Sequence, residues 1–156
     1  MKRSWKLRFA VVLGTVGVLV ALEAPAMATT TLKYHATFVE NGAGQTSCAP
    51  GTACGSATIS GLGHVAFQSI VFNFCGPNCH IRTITFDDGS TLLIQESVVN
   101  EISPGNSDEV KFLEITQTIL PSSTGRFAGA TGSGSGRVNL AAEAIITASG
   151  TITLPT

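Results

Sequence analysis

Between Thr124 and Gly136 the chain reads TGRFAGATGSGSG, with five glycines, two alanines, a single aromatic residue and no acidic residue. No other stretch limits the fold so strongly. Each glycine costs a helix interior about 1 kcal/mol relative to alanine, so a helix is not expected here. Glycine tolerates positive φ and close backbone approach, and the run therefore reads as a tight corner leading into a closely packed strand. Gly125, Gly129 and Gly132 are the expected conformational positions, and Phe127 is the expected anchor of the corner in a core.

The rest of the chain has the periodicity of β-structure. In Thr31–Glu40, Leu32, Tyr34, Ala36 and Phe38 share one face while Lys33, His35 and Thr37 take the other, as in a half-buried strand. Asn41-Gly42 opens an aperiodic loop that is expected to run to Gly55. Phe67 to Phe74 is β-branched and aromatic, of strand character. For that reason the G-x-G-x-x-A pattern of Gly61–Ala66 is not a dinucleotide fingerprint, which needs a helix after the glycines. Asp88-Gly89 predicts a two-residue type I′ turn joining a strand over 80–87 to one over 90–99. Further strands are expected over 110–120, 131–140 and 143–154, with Pro121 ending the first of these.

Seven or eight short strands separated by turn signals, with no helix among them, define an all-β domain. Consecutive hairpins and the glycine corner favour a single closed antiparallel barrel of about eight strands, with a β-sandwich as the alternative.

The first 28 residues have the make-up of a secretory signal peptide. Lys2, Arg3, Lys6 and Arg8 form a basic region, an apolar run follows from Phe9 to Leu22, and Ala26-Met27-Ala28 supplies a small-x-small cleavage site. The apolar run is shorter than the ~20 residues that a spanning helix needs. Cleavage after Ala28 would leave residues 29–156 as one secreted domain, with five basic and nine acidic groups and a formal charge of −4. A mildly acidic chain without a basic cluster is not expected to bind nucleic acid. Without an amphipathic helix, no membrane association is expected after signal cleavage.

Cys48, Cys54, Cys75 and Cys79 read as two disulfides in an exported chain. Of the three pairings open to them, local pairing of Cys48 with Cys54 and of Cys75 with Cys79 is expected, because each spacer is turn-like. A zinc site is disfavoured by the C-x5-C and C-x3-C spacing. No metal and no cofactor is expected.

Gly125-Arg126-Phe127-x-Gly129-Ala130-x-Gly132, lying between a β-rich segment and a final Gly150-Thr151-Ile152-Thr153-Leu154 strand, resembles the GTGRFxGAxG corner of allene oxide cyclase-like and dirigent-like β-barrels. Small secreted bacterial proteins share the pattern. Ser122-Ser123-Thr124 departs from the glycine that this family places before the corner. The resemblance extends over Thr31–Pro155 and implies a barrel, often trimeric, so a homo-oligomer is one expected assembly. It also implies steric catalysis on an apolar substrate, but carries over no catalytic residue, because the shared motif is structural.

The chemistry-bearing candidates are few. Glu96 shares a face with Leu92, Ile94 and Val98, and inside a barrel its carboxyl would have the raised pKa of an acid or base. Arg82 lies across the hairpin and is placed to pair with it. Tyr34, His64 and His80 complete the set. A structural Arg82–Glu96 pair is preferred over a catalytic one. The favoured function is a non-catalytic exported barrel that binds a small apolar ligand or another surface. The alternatives are an isomerase or cyclase acting inside the barrel, and a secreted inhibitor presenting the Cys48–Cys54 loop.

Overall fold

A computed structural model describes residues 28–41, 48–103, 105, 109–140 and 144–155. Residues 1–27, almost all of the expected signal peptide, lie outside the described residues. The chain forms one closed barrel in which eight antiparallel strands pair in sequence order and the last pairs with the first. The strands are β1 (Thr29–Asn41), β2 (Thr52–Ile59), β3 (Val65–Val71), β4 (Cys79–Phe86), β5 (Thr91–Ile102), β6 (Phe112–Ile119), β7 (Thr131–Asn139) and β8 (Ala144–Pro155). Closure gives every strand a neighbour on both sides, the shortest ladder being that of Thr52–Gly55 with Gln68–Val71. The seam is the long β1–β8 ladder, from Thr29 opposite Pro155 to Glu40 opposite Ala144.

Period-two alternation sends one face of each strand inward. Tyr34, Ala36 and Phe38 of β1, Ile84 and Phe86 of β4, Leu92 and Ile94 of β5, Ile115 and Ile119 of β6, and Ile146 and Ile152 of β8 form the buried core. Burial at about 25 cal/mol per Å² of apolar surface makes this interior the main stabilising element.

Two local expectations are corrected. The expected loop to Gly55 ends earlier, because β2 starts at Thr52 and places Cys54 within a strand. Its TACGSATI sequence has few good strand formers, and it is held by ladders to β1 and β3 on either side. The turn after β4 is not a two-residue type I′ turn. A type I′ turn needs positive φ at both central residues, whereas among Asp87, Asp88 and Gly89 only Gly89 has it, at 78°. The Gly89 N–H donates to the Phe86 carbonyl and the Phe86 N–H to the Ser90 carbonyl, which closes a three-residue loop. The Asp88 carboxylate holds the loop by accepting from the Ser90 N–H.

The glycine-rich corner closes one end of the barrel. Gly125–Phe127 makes a single 3-10 turn, flanked by positive φ at Gly125 (62°) and Gly129 (74°). Phe127 drops into the core against Phe86, with ring centroids 4.8 Å apart. Arg126 lies over both rings while its guanidinium donates to Asp88 and to the Leu62 carbonyl. At Gly132, where β7 begins, a β-carbon would overlap the Thr151 carbonyl oxygen and meet Ile119 and Ile152 at 3.0 Å. Close approach of β8, more than turn conformation, is what requires glycine there.

Candidate functional site

The opposite end of the barrel differs in character. Both disulfides lie there. Cys48 is joined to Cys54 at the start of β2, and Cys75 to Cys79 across the β3–β4 connection. These are the pairings expected from the turn-like spacers. Below them the interior holds a cavity of about 170 Å³. Its walls are aliphatic, among them Ile70, Val98, Ile115, Val138 and Ile146, and the exposed Phe72 and Leu140 stand at its rim.

Its floor is ionic. Arg82 on β4 is 1 % exposed, Glu96 on β5 2 % and Glu40 on β1 5 %. Arg82 donates through Nε to Glu96 Oε1 and through Nη2 to Glu96 Oε2, both at 2.9 Å, a two-pronged pair. The second Nη2 proton goes to Glu40 Oε1 at 2.7 Å, and Nη1 donates to Gln68 Oε1 at 2.6 Å. The guanidinium carbon lies 4.3 Å from the centre of the Phe38 ring. Gln117 Nε2 donates to Glu96 Oε1 at 2.7 Å, and the Tyr34 hydroxyl donates to Gln117 Oε1 at 2.8 Å. Among the described residues no buried side-chain nitrogen or oxygen lacks a partner. That is what a polar group must achieve to be tolerated in a core.

Electrostatics follow from this geometry. Burial alone lowers the Arg82 pKa, but the charges and hydrogen bonds of Glu96 and Glu40 outweigh it and the pKa is raised. Tyr34 is pushed up to about 12, by burial first and then by the Glu96 charge. The His80 pKa is held below its ordinary 6.5, chiefly by burial, with Arg82 acting the same way against Glu96 and Glu40. His80 lines the cavity, and its Nδ1 accepts the Asn73 backbone N–H at 3.0 Å. Its neutral form therefore carries the hydrogen on Nε2.

Arg82 and Glu96 thus meet, and Tyr34 joins them through Gln117. His64 does not; it pairs with Asp87 on the surface at the other end. Glu40, Gln68 and Gln117 were not singled out in the sequence. The available signal was register: Glu40 continues the inward series of Tyr34, Ala36 and Phe38, and Gln117 falls between Ile115 and Ile119. Among the described residues no His, Cys, Asp and Glu cluster fit to hold a metal occurs. The chain matches no protein-family model, no curated protein and no solved structure.

Proposed function

We propose that this protein is a non-catalytic exported barrel that binds a small apolar ligand in the cavity at its disulfide-bearing end. The cavity itself carries the reading: aliphatic walls, a rim at the surface, and a floor on which Arg82 and Glu96 engage one another. Pockets of this kind gain affinity from apolar burial and orientation from a few fixed polar atoms. An eight-stranded barrel is about the smallest that holds one such ligand. The isomerase or cyclase alternative requires an acid or base free to act on substrate. Glu96, its main candidate, has both carboxylate oxygens engaged by Arg82, and Gln117 shares one of them.

Calorimetry with hexanol tests the reading. One-to-one saturable binding is expected, lost in Val98→Trp, which fills the cavity, and kept in Phe67→Trp on the exposed outer surface. A folded protein that shows no saturable binding overturns it. Export is proposed on the basic region, the apolar run and the small-x-small site, and two disulfides fit an oxidising compartment. N-terminal sequencing of secreted protein should begin at Thr29, and recovery of full-length chain from membranes alone would refute export.

A further inference from the structure

We infer, building on the binding reading above, that the cavity selects an apolar amine, whose ammonium group is received by Glu40. The floor sets two carboxylates, Glu40 and Glu96, against one guanidinium. With both ionised its local charge is −1. Of the five N–H groups that an arginine offers, Arg82 donates four to protein acceptors, namely Glu96 twice, Glu40 and Gln68. Little of the guanidinium remains to receive an anionic ligand.

Glu40 is different. Its Oε1 accepts from Arg82, and no hydrogen bond is made to its Oε2 among the described residues. Glu40 lines the cavity, so its carboxylate stands at the cavity floor with one oxygen on Arg82. It is an acceptor held in place at the bottom of an apolar pocket.

The other charged or titratable groups lining the cavity among the described residues are Glu96, Arg82 and His80. Glu96 is occupied by Arg82 and Gln117. His80 is held in its neutral form by burial and adds no positive charge. An excess carboxylate in a low-dielectric pocket is costly until a cation or a hydrogen-bond donor meets it. An alkanoate would add a third carboxylate to a floor that already sets two against one guanidinium. An alcohol supplies a neutral donor, and an alkylammonium supplies a charged one, making the stronger charge-assisted bond. The walls take the alkyl chain.

The test is calorimetric titration of the purified protein at neutral pH with hexylamine, hexanol and hexanoate, which share an apolar body and differ in headgroup. Hexylamine should bind on the order of tenfold more tightly than hexanol, and hexanoate should be the weakest of the three. In Glu40→Gln, which keeps the shape and removes the charge, hexylamine should fall to within about twofold of hexanol. Hexanoate binding as tightly as hexylamine, or a folded Glu40→Gln that keeps the full amine preference, overturns the inference. If the variant does not fold, the ranking on the unaltered protein decides alone. Three ligands bound equally well would leave the apolar cavity standing and refute its selectivity. Three ligands that all fail to bind would refute both.

Discussion

The Tyr34 hydroxyl stands directly over Gly134, where a β-carbon would overlap it. The same β-carbon would approach the Ser149 carbonyl oxygen to 2.6 Å and Gln117 Oε1 to 3.2 Å. The bare backbone of β7 is therefore what admits the Tyr34–Gln117–Glu96 chain of hydrogen bonds to the middle of the barrel. Gly134→Ala should destabilise by about 1–3 kcal/mol, as overpacking of a dense core does. Combining it with Tyr34→Phe, which removes the hydroxyl, should recover part of that loss in a denaturant double-mutant cycle. Additive effects would show that the two residues do not compete for the same space.

The closed end gives a second expectation. Phe127 is buried against Phe86, so Phe127→Ala should cost about 3–5 kcal/mol. Gly132→Val should also lower the denaturation midpoint, because its side chain would press on the backbone of β8. Unchanged midpoints for both variants would reduce the corner to a linker.

Removing the central cation should be more damaging than its size suggests. Arg82→Leu leaves Glu40 and Glu96 buried without their counter-charge, for an expected loss of about 3–5 kcal/mol at neutral pH. Protonating the stranded carboxylates relieves that penalty. The gap between variant and parent should therefore narrow as the pH is lowered, as followed by chemical denaturation. A gap independent of pH would place the loss in packing alone.

Tyr34 is the only tyrosine of the chain, so its ionisation can be followed directly by ultraviolet absorbance. Its pKa is pushed up to about 12 from an ordinary 10.0, by burial and then by Glu96. A group whose folded pKa is raised contributes stability that is complete below the unfolded value and is lost as the pH climbs through the folded one. The folded protein should thus show little phenolate at pH 10.0, and its stability should fall between that pH and about 12. A phenolate titrating near 10.0 in folded protein would mean that the hydroxyl is open to water.

Much of this architecture is legible in the order of residues, because its causes are local. Alternation along β1, the inward faces of β4, β5, β6 and β8, and the sharp corner at Gly125–Gly132 follow from a two-residue period and from what glycine permits. The two disulfides are legible because each pair is separated by a short turn. Arg82 and Glu96 stand close in sequence across one hairpin, and an inward face on both strands was enough to suggest their pairing. Small-residue β2 was not legible, since its strand character comes from the neighbours that bond it on both sides. Nor was the type of turn at Asp87–Gly89, where the Asp88 side chain and Ser90 help hold a three-residue loop.

Beyond the Arg82–Glu96 pair, the polar network beneath the cavity was decided by the tertiary structure. Glu40, Gln68, Arg82, Glu96 and Gln117 come from β1, β3, β4, β5 and β6, up to 77 residues apart from Glu40 to Gln117. In sequence each is one polar residue in an apolar series, equally consistent with a strand end facing water. Strand order and register decide which inward positions reach the same height in the barrel, and closure removes the water that would otherwise have solvated them. Once water is excluded, each polar group must find a partner on another strand, and that requirement joins five separated residues into one network.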